Sequence, residues 1–265
     1  MSIEEKWQSL IKVLSQMKSV LVAYSGGVDS TFLIKVASLS LGNKAIALTG
    51  VSPTIPKREV DESIHLAKTV GIKHILIDTN EWKNENYLKN DSDRCFYCKD
   101  SLYAICLKKA RELGVSVIVD GSNVDDLKDD RPGFNAARKW GVRHPLIESG
   151  WKKGDIRQKS KDLSLSTWDK GSFACLASRV HRGIRIDLAS IKRIEAAEAI
   201  FPSLGFVQFR VRDFGNLAKI EVGFDELKKF EDPSIKAMVK SHLEKVGYRW
   251  VCLDPHGYKG IIKSA

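Results

Sequence analysis

Residues 19–42 read "SVLVAYSGGVDSTFLIKVASLSLG", and this stretch decides the fold. "VLVAY" is a short β-branched apolar run of the kind buried on both faces of a parallel sheet. "TFLIKVASLSL" is long enough for a helix, and Gly42 closes it. Between them lies the polar loop "SGGVDS". Gly26 and Gly27 permit a sharp turn that aims successive N–H groups, with that of Val28, at one point. The positive end of the following helix adds to that field, so the turn suits phosphate oxygens. Ser25 and Ser30 offer hydroxyls, and Asp29 can hold a magnesium ion that bridges phosphates. There is no Gly-x-x-x-x-Gly-Lys motif, which excludes the common NTPase P-loop. A plain strand–helix turn capped by Ser or Asp is the competing reading.

Outward from this loop the rhythm repeats. Residues 4–17 carry apolar side chains at helical spacing, and "AIALTG", "HILID" and "VSVIVDG" read as strands. Helices are expected over 57–70 and 99–113, alternating with those strands. The implied class is α/β, with a parallel sheet covered by helices on both faces. After about residue 183 the pattern changes to a helix over 188–200 and a hairpin around Gly215-Asn216. A helix near 233–246 and the strand "YRWVCL" follow. The expected domains are therefore residues 1–185, which bind the nucleotide and carry the cysteine site, and a smaller α+β domain, residues 186–265, for substrate binding and oligomerisation.

Composition sets outer limits. Of 265 residues, 43% are hydrophobic and 29% charged, as in a globular protein. The start, "MSIEEKWQSL", is acidic and amphipathic and does not read as a signal peptide. No apolar run is long enough to span a bilayer. A cytoplasmic location is expected, where a Cys-x-x-Cys pair points to metal or redox chemistry before a structural disulfide. The net charge is +10, with the excess concentrated in residues 131–183. Such a field suits an anionic ligand, although a solvated basic face accounts for charge alone equally well.

The stretch "SDRCFYCKDSLY" places Cys95 and Cys98 three positions apart, and Cys175 lies far downstream in "GSFACLASR". A thioredoxin-like pair needs a preceding strand, and "KNDSDR" is none. Structural zinc needs a fourth ligand, which His181 can supply. An iron–sulfur cluster on three thiolates leaves one iron open. Residue types alone leave zinc and cluster evenly placed, and Arg94 and Lys99 favour thiolates under either. Cys106 reads as core packing with Leu102, Ile105 and Leu113, and Cys252 in "WVCL" as a buried strand residue.

The loop "SGGVDS" resembles the pyrophosphate-loop (PP-loop) ATPases, which cleave ATP to AMP and pyrophosphate. Over nearly the whole chain the motifs are similar to one branch, the LarE family of ATP-dependent pyridinium-3,5-biscarboxylate mononucleotide sulfurtransferases, which serve nickel-pincer nucleotide synthesis. The stretches that carry the resemblance are "AYSGGVDST", "VSPTIPKRE", "DRCFYCK", "DGSNVDDLKDDRPG", "TWDKGSFACLASR", "SLGFVQFRVR" and "AKIEV". The resemblance implies that ATP, with Mg2+, lies at Ser25–Ser30 and adenylates a substrate carboxylate, which a sulfur nucleophile then attacks. It also implies that Cys95, Cys98 and Cys175 hold a [4Fe-4S] cluster that takes up sulfide or another sulfur donor. Members with a lone cysteine at the Cys175 position instead sacrifice its sulfur.

Other residues complete the expected site. Arg210 and Arg212 alternate with Phe209 and Val211, so both face one way and suit the phosphate of a mononucleotide. Glu221 on the partner strand can orient them; an exposed strand face is the plain alternative. Ser178 and Arg179 follow Cys175 and are placed to meet substrate or phosphate. Asn123 and Asp126 follow a strand, at the edge where α/β sheets bind ligands, or serve only in a turn. Glu198 matches an acidic family position but is an ordinary helix residue by pattern. Departures from the family pattern are "VHRG" after "CLASR", Ala174 where Pro is usual, and the ending "GYKGIIKSA". A tRNA thiolase and a zinc-stabilised nucleotide-binding protein without sulfur chemistry are the alternatives. Without an added RNA-binding module or an aromatic-rich basic stretch, nucleic acid is the disfavoured partner. A homo-oligomer is expected.

Overall fold

The structure is a computed structural model that describes residues 1–128, 132–171 and 174–258. Two units are present: Met1–Tyr87 with Ser92–Ser172, and Leu88–Asp91 with Phe173–Ala265.

The first unit runs α1 (Ile3–Gln16), β1 (Val20–Ala23), α2 (Val28–Leu41), β2 (Ala45–Val51), α3 (Lys57–Val70) and β3 (Lys73–Asp78). It continues with α4 (Arg94–Glu112), β4 (Val117–Asp120), α5 (Pro132–Lys139) and α6 (Lys153–Asp162). The strands form one parallel sheet in the order β3-β2-β1-β4. Successive side chains of a strand face opposite ways, and β1 splits accordingly. Val20 and Val22 join the core built on Leu10, Leu14, Phe32 and Trp151, while Leu21 and Ala23 join the core of Leu48, Tyr103, Cys106 and Ile118. Both faces are thus covered, as the α/β reading requires. From β1 the chain moves one way to β2 and β3 and the other way to β4. The switch point between β1 and β4 is where open α/β sheets form ligand crevices, at the carboxyl ends of the strands.

The second unit holds α7 (Leu188–Glu198), β5 (Phe209–Asp213), β6 (Leu217–Val222), α8 (Pro233–Lys245) and β7 (Trp250–Leu253). Its sheet order is β5-β6-β7, antiparallel then parallel. Val211, Ile220 and Val222 pack with Phe201, Phe206, Leu243 and Tyr248 into its own core. Asp187 and Asp232 cap α7 and α8.

Three expectations change. The helix foreseen at 99–113 begins at Arg94, so Cys95 and Cys98 lie within it rather than ahead of it. The carbonyl of Asp93 accepts from the N–H groups of Phe96 and Tyr97 and starts the helix one turn early. Cys252 is exposed, because Trp250 and Cys252 lie on the sheet face they share with Leu217 and Lys219, while Val251 and Leu253 turn to the core. Leu113 also is exposed, beyond the helix end, whereas Cys106 is fully buried and burial pushes its thiol pKa up to about 12. Among the described residues no helix is long and apolar enough to cross a membrane.

Candidate functional site

The 24–31 loop lies on the carboxyl end of β1, beside the switch point. Gly26 has φ +73, and a Cβ there would meet Ser63 of α3 at 3.2 Å. The Ser25 and Ser30 hydroxyls are 3.1 Å apart, and Ser30 also donates to Gly27 O at 3.2 Å. On the other side Gly121, just after β4, approaches so closely that a Cβ would stand 2.9 Å from the backbone of Ser30. Only glycine permits that contact. Helix α2, like α3, α4 and α6, begins without a side-chain cap bond. Among the described residues its first N–H groups therefore have no side-chain acceptor, which suits an anion.

Two lysines brace this loop. Lys153, at the start of α6, binds Asp29 Oδ2 at 2.6 Å, while Asp29 Oδ1 is buried with no hydrogen-bond partner among the described residues. Burial raises the Asp29 pKa, and Lys153 opposes the shift. Lys170 binds Glu59 at 2.9 Å and Glu62 at 2.8 Å, both on α3, and Gly26 O at 3.3 Å. Arg157 of α6 fixes the Lys170 segment by donating to Trp168 O at 2.6 Å and Lys170 O at 2.8 Å. In sequence nothing marks Lys170, inside "TWDKGSF", or Lys153 for a role at this loop. Neither belongs to a local pattern; only the fold brings them to the loop. Asn123 and Asp126 make turn bonds: Asn123 Oδ1 accepts from Asp125 N at 2.9 Å, and Asp126 accepts from Asn123 N at 3.0 Å. The backbone of Lys153 then donates to Asp125 at 3.0 Å, tying this turn to the Asp29 partner.

Cys95 and Cys98 share one face of the first turns of α4, at the i,i+3 spacing. Cys95 is exposed and Cys98 half-buried. The next residues on this helix reach the end of β4. Tyr103 donates to the buried Asp120 at 2.5 Å, and His144 Nδ1 lies 2.7 Å from its other oxygen. Lys99 stands 3.9 Å from Asp120 and over the Tyr103 ring. Burial disfavours the Asp120 charge, but His144, Lys99 and Tyr103 outweigh it and hold the carboxyl far below the usual range. Burial likewise disfavours the Lys99 charge, yet Tyr103 and Asp120 keep its pKa above that of an ordinary lysine. This cluster was not foreseen.

In the second unit Cys175 heads the turn Leu176–Arg179. Its carbonyl accepts from Ser178 N at 2.9 Å, Ser178 Oγ at 2.7 Å and Arg179 Nη1 at 3.0 Å. Arg179 also donates to Ala174 O, and its guanidinium meets Glu198 through two bonds of 2.9 and 3.2 Å. Both partners are buried, Arg179 1% exposed and Glu198 3%. Burial lowers the Arg179 pKa and Glu198 counters it. Glu198 further accepts from Val211 N of β5 at 3.0 Å, which ties helix, turn and strand together. Arg179 thus grips the cysteine turn from behind.

Arg212 donates to Ser178 O at 2.9 Å and to Glu221 at 2.8 Å. Arg210, opposite Glu221 in the strand register, donates to Tyr258 Oη at 3.1 Å. Cys175, Ser178, Arg179, Glu198, Arg210, Arg212 and Glu221 therefore belong to one construction within this unit. His181 follows the cysteine turn in the chain, and its ring centroid lies 4.5 Å from that of Phe214. Among the described residues of either unit taken by itself, no three His, Cys, Asp or Glu side chains are gathered as around a metal ion.

No protein-family model matches the chain. An uncharacterized protein of Synechocystis sp. is 39% identical over 258 residues, 97% of this chain and 96% of the relative. The pyridinium-3,5-bisthiocarboxylic acid mononucleotide synthase of Lactiplantibacillus plantarum is 30% identical over 260 residues, 97% of this chain and 93% of that protein. An uncharacterized protein of Methanocaldococcus jannaschii is 29% identical over 254 residues, 96% of each chain. With the second of these matched almost end to end, the chain belongs to the pyridinium-3,5-bisthiocarboxylic acid mononucleotide synthase (LarE) family.

Proposed function

We propose that this protein is an ATP-dependent sulfurtransferase that converts a carboxylate of pyridinium-3,5-biscarboxylic acid mononucleotide into a thiocarboxylate. The observation that carries the reading is the bond from Arg212 to Ser178 O, which joins an arginine-bearing strand to the turn headed by Cys175. A phosphate-binding face and a sulfur-bearing turn built as one piece suit an anionic mononucleotide that receives sulfur.

ATP would lie on the 24–31 loop, with phosphate oxygens at the uncapped start of α2 and the hydroxyls of Ser25 and Ser30. Mg2+ would take the unpartnered Oδ1 of Asp29, a hard oxygen donor of the kind magnesium prefers. The substrate carboxylate would attack the α-phosphorus, and pyrophosphate would leave with the bonding electrons. Lys153 and Lys170, both hydrogen-bonded to the loop, would meet that charge. A hydrosulfide would then add to the acyl carbon, and AMP would leave as the weaker nucleophile.

Cys95 and Cys98, three residues apart on one helical face beside Lys99, suit thiolate ligands, and the sequence supplies Cys175 as the third. A [4Fe-4S] cluster, when bound, would carry the sulfur on its open iron. Arg179 and Glu198 would hold the Cys175 turn in shape, and Arg210 and Arg212 would take the mononucleotide phosphate.

The test is anoxic incubation with ATP, Mg2+, sulfide and the biscarboxylate mononucleotide. AMP should appear in step with thiocarboxylate and only when the mononucleotide is present. AMP formation that needs tRNA, or none at all, would overturn the reading. Iron and acid-labile sulfide per chain, lost together in Cys95→Ala, Cys98→Ala and Cys175→Ala, would support the cluster. Iron-free protein that still transfers sulfur once per chain would replace it with sacrifice of Cys175.

A further inference from the structure

The segment after β7 returns to the arginine face. Asp254 N donates to Ile220 O at 2.8 Å and Tyr258 N to Val222 O at 2.6 Å, so the segment runs along β6. Between them Gly257 adopts φ +64, and a Cβ there would stand 2.9 Å from Val222 O and 3.2 Å from the Phe224 backbone. Glycine is required at that point, both for its backbone angle and for the close approach. The turn delivers Tyr258 onto Arg210: the hydroxyl accepts from Nη2 at 3.1 Å, and the guanidinium carbon lies 4.9 Å from the ring centroid. At the other end of the segment Asp254 binds Lys219 at 2.9 Å, Lys219 binds Glu221 at 3.0 Å, and Glu221 binds Arg212 at 2.8 Å. Both arginines of the face are therefore connected to the same five residues.

We infer that Asp254–Tyr258 is a positioning element for the phosphate-binding arginines, with Tyr258 setting the plane of Arg210 and Asp254 steadying Arg212 through Lys219 and Glu221. The inference rests on the reading that these arginines receive the substrate phosphate. A guanidinium grips phosphate through parallel N–H groups in its own plane, so the orientation of that plane governs the grip. An unsupported arginine loses its rotamer freedom on binding, whereas one already stacked and hydrogen-bonded has lost it beforehand. Arg210 is 6% exposed, and a cation held over a ring away from water gains more from the contact than an exposed one. Tyr258 is thus a positioning residue that acts through Arg210.

The probes are nicotinic acid mononucleotide, which has a pyridinium carboxylate and a 5′-phosphate, and its riboside, which lacks the phosphate. Calorimetry on the full chain gives the ratio of the two dissociation constants. The wild type should prefer the mononucleotide by about tenfold or more, and Arg210→Ala should abolish most of that preference. Tyr258→Leu should reduce it by about three- to tenfold, and Tyr258→Phe, which keeps the ring, by about half as much on a logarithmic scale. Riboside affinity should stay level in both Tyr258 variants, a split that general loosening of the fold does not produce. Thermal unfolding run alongside should show Tyr258→Phe melting as the wild type does. If Arg210→Ala loses the preference while Tyr258→Leu keeps it, the inference is overturned and the phosphate reading stands. If the wild type shows no preference and Arg210→Ala changes nothing, the phosphate reading fails and the inference falls with it.

Discussion

Two ion pairs, one in each unit, are built on opposite principles. Asp29–Lys153 is part-exposed, a single 2.6 Å bond, with the second carboxylate oxygen left buried and unpartnered. Arg179–Glu198 is buried and doubly bonded, and its spare capacity is spent on backbone groups of the cysteine turn and β5. The first pair can be exchanged cheaply for an incoming cation or phosphate. The second cannot be opened without leaving a charge stranded away from water. Under the proposed function the first pair serves chemistry and is left incomplete, while the second serves shape and is completed.

The contrast breaks most visibly at Glu198. Glu198→Ala strands the Arg179 guanidinium and the Val211 N–H, and should cost about 3–5 kcal/mol in denaturant unfolding. A loss well below about 1 kcal/mol would mean that the pair does not hold the turn.

Asp120→Asn comes next. It removes the charge that binds His144, Lys99 and Tyr103, and should cost about 1.5–3 kcal/mol near neutral pH. The folded carboxyl titrates below its ordinary value of 3.8. Its stabilisation is therefore complete above that value and is lost as pH falls below it. The gap between wild type and variant should close in acid, and a gap that widens there would contradict the assignment.

Gly121→Ala sharpens the comparison from the other side. The added methyl meets Ser30 backbone at 2.9 Å, so the cost should be about 1–3 kcal/mol with weaker ATP binding, read by unfolding and by nucleotide titration. Smallest in stability is Lys153→Met, at most about 1 kcal/mol because the pair is part-exposed. Its effect should fall on catalysis instead, with AMP formation slowed by on the order of tenfold to a hundredfold. Lys153→Met that unfolds readily but turns over normally would reverse the roles assigned to the two pairs.

The sequence carried the architecture well where the signal is local. The run at 19–42 implies strand, loop and helix, and the parallel sheet has the switch point that the loop requires. The hairpin around Gly215-Asn216 stands where alternation places it, with Arg210 opposite Glu221. Local patterns fail where partners are distant. Lys153 is 124 residues from Asp29, Lys170 is 144 from Gly26, and Tyr258 is 48 from Arg210. Glu198 looks like any helix residue until its helix is packed against the turn that Arg179 ends. Cys252 misled for a related reason: "WVCL" is apolar throughout, but only Val251 and Leu253 face the core, and no run of four residues tells which face of its sheet will be covered.

The most direct test of sulfur transfer is one mass-spectrometric measurement on a single anoxic reaction with ATP, Mg2+, sulfide and the biscarboxylate mononucleotide, reading small molecules and intact protein together. The expected result is replacement of oxygen by sulfur in the mononucleotide, with AMP formed and the protein's mass unchanged over many turnovers. A mononucleotide that keeps all its oxygens while the enzyme remains folded and ATP-bound would contradict it.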